Sequence, residues 1–516
     1  MFEVGDMAEV IKEGKPAKIA PFDNSGLHRG SDGVIHYSAV DETLVAMLRR
    51  STDSFGAAEA VVEVGGRRLT FTQFWDEAAK VAGGLRDLGI GVGDRVALQL
   101  PNGIDWTLAF FGTVFAGAVV VPVNTRFTES EVSYVLEDSG AKIALRLGDR
   151  LPVGESYLYE GASARDLAGI FYTSGTTGFP KGAMTSHENF ISNIETARRV
   201  VPLPQGGART LVSVPLFHVT GCNSQLLPAL SLGGTTVVLP SFEVHSFLKA
   251  IIEENINLLT SVPAIYWLAM NQPEFAGLDL SGVEYLLYGG APISPELVRR
   301  IKAAFPRARV GNGFGLSETA SIATFLPHEY ADLRPETVGF AAPPVELDLF
   351  EADAASGVGE LLIRGPNVVG GYWNNQGATQ ENFVAGWLHT GDMARLDDEG
   401  FCEIVDRKKD MVNRGGENVY CVEVENVLAE FPGVFEVAVL GVKDPMMGEK
   451  VGAIVVPVPG SSFNAAEMLE FASSKLADFK VPQYVLTRNE PLPRNAGGKV
   501  LKATLKSDAP WGAQLR

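Results

Sequence analysis

Short, almost continuously apolar segments alternate with segments of helical periodicity over much of the chain. LTFTQFWDEAAKVAGGLRDLGI is followed by RVALQL, and WTLAFFGTVFAG is followed by AVVVPV. The alternation returns in GTTVVLP, HSFLKAIIEENINLLTSVP and VEYLLYGGAP. Strands that are apolar on both faces are typical of parallel sheets that helices cover on both sides. The pattern therefore predicts an α/β fold built of layers.

The hydrophobic pattern changes in two later stretches of the chain. After Gly339, ELDLFEADAASGVGELLIRG and GFCEIVDR contain period-two segments and turn residues, which predicts an antiparallel lobe. From Asp410, strands and helices over about 100 residues indicate a compact α+β unit. A chain of 516 residues is too long for one ordinary core. We therefore expect a large N-terminal domain, residues 1–408, of layered α/β subdomains plus a β-rich lobe, and a small α+β C-terminal domain, residues 409–516.

Charge and cysteine content argue against several classes of partner. The chain has 43 Lys and Arg against 62 Asp and Glu, a net charge of −19, which disfavours nucleic acid and anionic membrane surfaces. The longest apolar tract, residues 106–121, is shorter than the roughly 20 residues of a membrane-spanning helix. The 3 widely spaced cysteines form no disulfide or zinc pattern, and the N-terminus has no secretory pattern, so we expect a cytoplasmic protein. A homodimer is left open.

The segment FYTSGTTGFPKGAM, residues 171–184, has the composition of a phosphate-binding loop. Glycine lets the backbone approach a ligand, and hydroxyl groups with one lysine can hold a polyphosphate. It is not a P-loop of the G-x-x-x-x-G-K-[ST] type, because Pro180 rather than glycine precedes Lys181. From composition alone, a flexible polar turn between a strand and a helix is the plainer alternative.

The string YTSGTTGFPKG resembles the signature loop of the acyl-adenylate-forming, or AMP-binding, superfamily, which contains acyl-CoA synthetases, luciferases and adenylation domains of nonribosomal peptide synthesis. The resemblance implies ATP, Mg²⁺ and coenzyme A as cofactors and co-substrates. It implies that this loop binds the phosphates of ATP through Thr173, Ser174, Gly175, Thr176, Thr177, Gly178 and Lys181. Further family motifs follow in a consistent order.

The motif GNGFGLSETA, residues 311–320, resembles the family's adenine and metal motif. The resemblance implies that Glu318 helps to hold Mg²⁺ and that Ser317 binds phosphate. It also implies that Phe314 stacks on adenine, that Asn312 reaches the adenine amino group and that Gly315 belongs to the ATP-binding site. The family more often has Tyr and Thr at Phe314 and Ser317, and both substitutions keep the needed π face and hydroxyl.

YGGAP, which begins at Tyr288, resembles the family's strand-end loop. The resemblance implies that Gly289, Gly290 and Ala291 lie along adenine, at the start of the acyl pocket. It places Tyr288 and His218 at that pocket.

The remaining motifs lie towards the C-terminus. GWLHTGDMARLDDEGF and VDRKKDMVNRGGENVY imply that Asp392 and Arg407 bind ribose and that Lys409 is the hinge of a mobile C-terminal domain. PLPRNAGGKVLK implies that Lys499 bridges the substrate carboxylate and the α-phosphate. In GGEN, the residues expected near the pantetheine arm of CoA are Gly415, Gly416 and Glu417. Arg414 and Cys421 depart from the family pattern around this segment.

We therefore expect an AMP-forming acyl-CoA synthetase, an acid–thiol ligase that acts on a small carboxylic acid with ATP and CoA. The apolar segments FHVTGCNSQLLPAL and LLYGGAPI favour a medium- or long-chain fatty acid, with an aromatic acid as the alternative. Three other functions are weighed: an adenylation domain that loads a carrier protein, a P-loop kinase or ATPase that releases ADP, and a non-catalytic nucleotide-binding scaffold. The presence of Glu318 and Lys499 argues against the scaffold.

Overall fold

A computed structural model of the protein describes residues 18–173, 180–203, 205–291, 293–415, 417–458, 460–494, 500–512 and 514–515. Within these ranges, no helix combines the length and hydropathy needed to cross a membrane. The predicted fold class is confirmed, because layered α/β elements are followed by an antiparallel lobe and a small α+β domain. The boundary between residues 408 and 409 stays a prediction.

The N-terminal part begins with a hairpin and continues as alternating helices and strands. These elements are β1 (Leu27–Arg29), β2 (Ile35–Tyr37), α1 (Leu44–Phe55), β3 (Glu59–Glu63), β4 (Arg68–Thr70), α2 (Phe71–Asp87), β5 (Arg95–Gln99), α3 (Ile104–Phe115), β6 (Val119–Pro122), α4 (Glu129–Ser139), β7 (Ile143–Arg146), β8 (Leu167–Thr173), β9 (Lys181–Ser186) and α5 (His187–Val200). Helices α2, α4 and α5 each begin at a capping box, which satisfies backbone donors at the helix start. A five-stranded sheet has the order β7-β5-β6-β8-β9, in which only the β8–β9 pair is antiparallel.

A second sheet is built mainly from the next part of the chain. Its elements are β10 (Arg209–Val212), α6 (Val219–Gly221), a π-helical turn (Cys222–Leu226), α7 (Leu227–Ser231), β11 (Thr235–Val238), α8 (Val244–Glu253), β12 (Leu258–Ser261), α9 (Pro263–Met270), β13 (Tyr285–Gly289), α10 (Pro295–Ala304), β14 (Arg309–Phe314), β15 (Thr324–Leu326) and β16 (Phe340–Ala341). The nine strands have the order β16-β15-β14-β13-β12-β10-β11-β3-β4. From β14 to β3 the pairing is parallel, and the edge strands β4, β15 and β16 are antiparallel.

Helices α1, α2, α3 and α5 lie between the two sheets. One apolar cluster joins Phe74 and Phe110 of these helices to Val96 of the five-stranded sheet and Val212 of the nine-stranded sheet. Helices α8, α9 and α10 cover the other face of the nine-stranded sheet, and α4 covers the other face of the five-stranded sheet. Because both sheets are covered on both faces, their inner strands are mostly buried, and β6 (VVVP) of the five-stranded sheet is wholly apolar.

The predicted antiparallel lobe is present. It contains β17 (Glu346–Phe350), β18 (Val358–Arg364), α11 (Gln376–Asn382), β19 (Phe383–Val384), β20 (Trp387–Leu396) and β21 (Cys402–Arg407). Strand β20 pairs with β18, β19 and β21, and β17 pairs with β18. Leu361 and Leu388 of the lobe share an apolar cluster with Phe314 and Leu316, so the lobe covers the end of β14.

The C-terminal domain is a small mixed sheet with helices. It contains β22 (Val412–Arg414), β23 (Glu417–Val419), α12 (Cys421–Ala429), β24 (Val434–Asp444), β25 (Gly448–Pro457), α13 (Ala465–Ser473), β26 (Tyr484–Thr487) and α14 (Lys502–Asp508). The strand order is β23-β22-β25-β24, and β26 pairs with β25. The ring of Trp267 in α9 lies 4.5 Å, between centroids, from the ring of Phe435 in β24. This contact joins the C-terminal domain to α9, one of the helices that pack on the nine-stranded sheet.

The segment before Asp41, to which the sequence assigns no role, braces other elements. Arg29 forms an ion pair with Glu346 of the lobe at 2.8 Å. The ring of Phe22 meets that of Phe325 edge-on, with centroids 6.4 Å apart. The N-terminal segment therefore supports both the lobe and the edge of the nine-stranded sheet.

Candidate active site

Strands β8 and β9 frame the predicted phosphate loop. Thr173 ends β8 and lies opposite Lys181, which begins β9. The Thr173 hydroxyl donates to the carbonyl oxygen of Lys181 at 3.5 Å. The other predicted loop residues, Ser174, Gly175, Thr176, Thr177 and Gly178, lie outside the described residues.

Tyr372, which the sequence analysis does not single out, connects Lys181 with Glu318. Its hydroxyl donates to Glu318 Oε1 at 2.8 Å, and Lys181 Nζ lies 5.1 Å from the centre of its ring. Two backbone contacts hold Tyr372 in this position. Tyr372 forms an antiparallel β-bridge with Ala183 of β9, and the N–H of Val369, in the same loop, donates to the Glu318 carbonyl at 2.9 Å. Burial and the neighbouring Glu318 raise the pKa of Tyr372, so the hydroxyl stays a neutral donor. One ring thus links the predicted phosphate and metal residues.

The loop after β14 reverses so tightly that its first position requires glycine. A β-carbon on Gly315 would lie 1.3 Å from the carbonyl oxygen of Ser321. Ser321 itself has a φ of 128°, a strained backbone conformation of the kind found at functional sites. The buried Asn367 side chain donates to two carbonyl groups of the loop, at 2.9 and 3.1 Å. Ser317 and Glu318 form a 3₁₀ turn within this braced loop.

The loop after β13 also depends on glycine. A β-carbon on Gly289 would lie 2.1 Å from the carbonyl oxygen of Gly313 in β14. Gly290 has a φ of +73°, which favours glycine. Gly289, Gly290 and Ala291 therefore leave the carboxyl end of the sheet directly beside the end of β14.

Asn312 and Phe314 lie on β14 near its carboxyl end. Asn312 is buried, and its side-chain amide donates to the Thr337 carbonyl at 3.3 Å. Phe314 is partly buried and packs on the lobe. The structure therefore places Phe314 at the junction of the large sheet and the lobe, and Asn312 two residues before it on the same strand.

Asp392 and Arg407, the predicted ribose residues, face each other across β20 and β21. Arg407 Nε lies 3.1 Å from Asp392 Oδ1, and the Asp392 side chain is only 4% exposed while that of Arg407 is 39% exposed. A buried carboxylate needs such a partner to remain charged. The antiparallel register therefore supplies an oriented carboxylate.

Glu360, a buried carboxylate that the sequence analysis misses, supports the turn before Asp392. It accepts hydrogen bonds from the Gly391 N–H at 3.0 Å and from Lys408 Nζ at 3.1 Å. Burial alone would raise its pKa, but hydrogen bonds from His389 and Lys408 outweigh burial and lower the pKa of Glu360 to about 2. The ionised Glu360 ties this turn to the residue just before the predicted hinge.

Lys409, the predicted hinge, is exposed in a turn that a hydrogen bond from the Asp410 N–H to the Arg407 carbonyl closes at 2.9 Å. Just before the turn, the buried Asp406 accepts a hydrogen bond from the Cys421 N–H at the start of α12. Burial raises the pKa of Asp406 to about 6. A hydrogen bond from a backbone N–H to a side-chain carboxylate therefore joins the two sides of the predicted hinge.

The predicted CoA segment lies on the hairpin of β22 and β23. Gly415 has a φ of +63°, and its N–H donates to the Met447 carbonyl at 2.8 Å. Glu417 is exposed at the start of β23. Gly416 and Lys499 lie outside the described residues.

An apolar cavity opens beside the nucleotide motifs. Its empty volume is about 900 Å³ including its mouth, within the range of small-molecule sites. One end is bordered by Gly289, Gly290, Phe314 and Gly315. The apolar walls include Val200, Val201, Leu203, Leu232, Leu258, Leu287, Ile322 and Phe325.

The two residues predicted for the acyl pocket take different positions. Tyr288 borders the cavity, but its ring belongs to the apolar cluster on the opposite face of the sheet. The described lining includes Val219 and Thr220 but not the neighbouring His218, which immediately precedes α6.

The described residues contain no group of three or more His, Cys, Asp or Glu side chains that could hold a metal by themselves. Mg²⁺ in nucleotide sites usually binds through substrate phosphates and one or two carboxylates. Glu318, oriented by Tyr372, fits that requirement.

The layered α/β domain and the small C-terminal α+β domain form the fold of solved adenylate-forming enzymes, among them an o-succinylbenzoate CoA synthetase of Bacillus subtilis, which is 26% identical with a TM-score of 0.81 and covers 90% of this chain and 99% of its own. The chain belongs to the AMP-binding enzyme family. Residues 48–156 and 152–373 match the model of the AMP-binding enzyme, and residues 423–499 match that of the AMP-binding enzyme C-terminal domain. The superfamily predicted from the sequence is thereby confirmed.

The chain is similar to named CoA ligases over most of their length. It is 35% identical to a feruloyl-CoA synthase of Amycolatopsis sp. over 475 residues, 86% of this chain and 95% of that protein. It is 35% identical to a long-chain-fatty-acid–CoA ligase of Mycobacterium tuberculosis over 494 residues, 89% of this chain and 97% of that protein. ATP-bound MatB from Rhodopseudomonas palustris, 29% identical, has a TM-score of 0.83 and covers 89% of this chain and 98% of its own. The predicted enzyme class, an acid–thiol ligase, is confirmed.

Proposed function

We propose that the protein converts an apolar carboxylic acid to its CoA thioester through an acyl-AMP intermediate. A carboxylate oxygen attacks the α-phosphorus of ATP, and the bond to pyrophosphate breaks. The sulfur of CoA then attacks the acyl carbonyl, AMP leaves with the bonding electrons, and the thiol proton passes to solvent. The observation that carries this proposal is the junction between the apolar cavity and the nucleotide motifs at Gly289, Gly290 and Gly315.

Phosphate binding is assigned to the loop between β8 and β9. The contacts would come from Thr173, Ser174, Gly175, Thr176, Thr177, Gly178 and Lys181. No protein nucleophile is needed, because the phosphoanhydride supplies the leaving group and the protein orients the reactants and balances charge. The cation–π contact between Lys181 and Tyr372 supports this role, because it directs the lysine towards the loop that carries Glu318.

Glu318 would hold Mg²⁺ together with the phosphates, and Ser317 would add a hydroxyl donor. When bound, the ion neutralises phosphate charge. Tyr372 positions the Glu318 carboxylate by its 2.8 Å hydrogen bond. The described geometry therefore supports a metal site that is completed by the substrate.

The adenosine part of ATP would lie where β13, β14 and the lobe meet. Phe314 offers a π face, and Asn312 offers an amide. The absence of side chains at Gly289 and Gly290 allows close approach of the purine. The buried Asp392, paired with Arg407, would accept hydrogen bonds from the ribose hydroxyls.

The second half-reaction is assigned to a different orientation of the C-terminal domain. Lys499 would serve the α-phosphate and carboxylate during adenylation. Rotation about Lys409 would then bring the Gly415, Gly416 and Glu417 hairpin towards CoA. The exposed turn at Lys409 supports this assignment. A cytoplasmic location, where ATP and CoA are both available, is part of the proposal.

The acid proposed is a medium- or long-chain fatty acid. Its cavity is lined mostly by aliphatic and aromatic side chains, which favour an acyl group without a second charge. The similarity to a fatty-acid–CoA ligase supports the same choice.

An aromatic acid with an oxygen substituent is the second candidate. Gln225 and Thr260 line the cavity, and the buried atoms Gln225 Oε1 and Thr260 Oγ1 have no hydrogen-bond partner among the residues that the structure describes. Such atoms favour a ligand that can hydrogen-bond with them. The similarity to a feruloyl-CoA synthase supports this candidate as well.

A panel of acids tests the function and separates the two candidates. Pyrophosphate release is measured with saturated acids of increasing length and with matched aromatic acids that have or lack a phenolic hydroxyl. Thr260→Val should reduce a preference for the hydroxyl, whereas Thr236→Val, which removes a partnerless buried hydroxyl on β11 away from the cavity lining, should not. Release of ADP, or failure of free CoA to accept the acyl group, would contradict the proposal.

A further inference from the structure

A second cavity lies next to the acyl cavity. Its empty volume is about 290 Å³ including its mouth, and its lining includes Tyr285, Arg309 and Gly311. The two cavities have four lining residues in common, Val200, Val201, Leu287 and Phe325. These shared residues form a wall, and Leu258 and Leu232, which line the first cavity, belong to the same apolar cluster as Phe325.

The ring of Phe325 extends across this wall. Its Cδ2 atom lies 3.9 Å from the position that a β-carbon on Gly313 would take, and Gly313 lines the acyl cavity. Its Cζ atom lies 2.4 Å from the corresponding position on Gly311, which lines the second cavity. The two glycines of β14 therefore leave room for one ring, and Leu287 closes the wall beside it at 3.2 Å from the Gly311 position.

Two aromatic neighbours hold the Phe325 ring in place. Phe22 of the N-terminal segment meets it edge-on at 6.4 Å between centroids. Phe22 also meets Phe340 at 6.5 Å, and Phe340 pairs with Phe325 across β15 and β16. Because Phe325 is only 5% exposed and braced on its outer side, the wall is a fixed part of the fold.

We propose that Phe325 is a specificity-determining residue that keeps the acyl group out of the second cavity and so limits the length of the acid. The inference rests on the proposed acyl-CoA synthetase function. Without the ring, the acyl cavity would continue along β13 and β14 to the level of Tyr285 and Arg309.

The added length can be worked out from the strand geometry. Leu287 and Gly311 are paired, and Tyr285 and Arg309 are the next pair on the same face of the sheet. Two residues of a strand span about 7 Å. A zigzag alkyl chain advances about 1.25 Å per methylene, from carbon–carbon bonds of about 1.5 Å at near-tetrahedral angles. Removal of the ring should therefore admit about five more methylenes.

The test compares Phe325→Ala and Phe325→Leu with the matched control Phe305→Ala. Phe305 is also buried, at 2% exposed, but it packs with α8, α9 and α10 on the other face of the nine-stranded sheet and lines neither cavity among the described residues. The values of kcat/KM are measured by pyrophosphate release for saturated acids of increasing length. Phe325→Ala should move the upper length limit by about five methylenes, with at least a tenfold gain beyond the wild-type limit, because each buried methylene contributes a factor of about four.

Phe325→Leu should give a smaller shift of the length limit in the same direction, and Phe305→Ala should give none. If a folded Phe325 variant still activates short acids but has the same upper length limit as the wild type, the proposed role of Phe325 is refuted. If no acid supports turnover in the wild type, the proposed function fails instead. In that case the role of Phe325 is tested by calorimetric titration, which measures the binding of the same acids without ATP. If the longest acid that binds is the same for the wild type and both Phe325 variants, the proposed role is refuted.

Discussion

Replacing Tyr372 by Phe removes one hydroxyl and keeps the ring that contacts Lys181. The lost hydrogen bond, 2.8 Å to Glu318 Oε1, joins a neutral donor to a carboxylate. Hydrogen bonds to charged groups contribute about 1.5–3 kcal/mol. Glu318 is partly exposed, so a water molecule can hydrogen-bond to it in place of the lost hydroxyl, and the lower end of this energy range applies. We therefore expect Tyr372→Phe to weaken transition-state stabilisation by about 1.5 kcal/mol, which corresponds to roughly a tenfold loss in kcat/KM for ATP.

The assay is pyrophosphate release at varied ATP and varied Mg²⁺. Tyr372→Phe should raise the Mg²⁺ concentration needed for half-maximal rate, because the Glu318 carboxylate is less well oriented. Tyr172→Phe is the matched control, since the Tyr172 hydroxyl donates to Asp138 Oδ2 at 2.6 Å on the face of the five-stranded sheet that α4 covers. If the two variants have the same ATP and Mg²⁺ dependence, Tyr372 does not position the metal carboxylate.

Three further predictions concern the hinge, the α-phosphate lysine and a buried histidine. Lys499→Ala should abolish pyrophosphate release from acid and ATP yet spare the reaction of preformed acyl-AMP with CoA, and equal loss of both would refute its role. Lys409→Pro should spare acyl-AMP formation and slow thioester formation, as single-turnover assays of each half-reaction can show. Burial lowers the pKa of His187 from 6.5 to about 4, so the unfolded chain binds more protons between these values. Stability should therefore fall as pH drops through that window, by up to about 3 kcal/mol, and His187→Gln should have a flatter denaturation profile.

The layered fold could be predicted because its signal is local. Strands with apolar centres such as β5 and β6 alternate with helices such as the amphipathic α2 and the largely buried α3, and this pattern arises wherever a parallel sheet is covered on both faces. Gly289 was also predictable in its local setting, since YGGAP resembles a strand-end loop and Gly289 ends β13. The setting of Lys181 was not, because the pattern predicts a helix directly after the phosphate loop, whereas Lys181 begins strand β9. The strand register that joins Asp392 to Arg407 agrees with their shared assignment to ribose.

Residues that act through long-range contacts could not be found in the same way. Tyr372 lies in a loop without periodicity, and its role depends on a bridge to Ala183, far away in sequence. Glu360 looks like an ordinary strand residue until Lys408 and His389 are brought to it. The glycines of GNGFG give only a weak sequence signal, and the need for them at Gly311 emerges only from the packing of Phe325.

The most direct test of the two-step account follows oxygen from the acid. The protein is supplied with an acid labelled with ¹⁸O in its carboxylate, together with ATP, Mg²⁺ and CoA, and the products are analysed by mass spectrometry. Attack of the carboxylate on the α-phosphorus predicts one labelled oxygen in AMP and none in pyrophosphate. Formation of ADP, or the appearance of label in phosphate or pyrophosphate instead of AMP, would contradict an acyl-AMP intermediate.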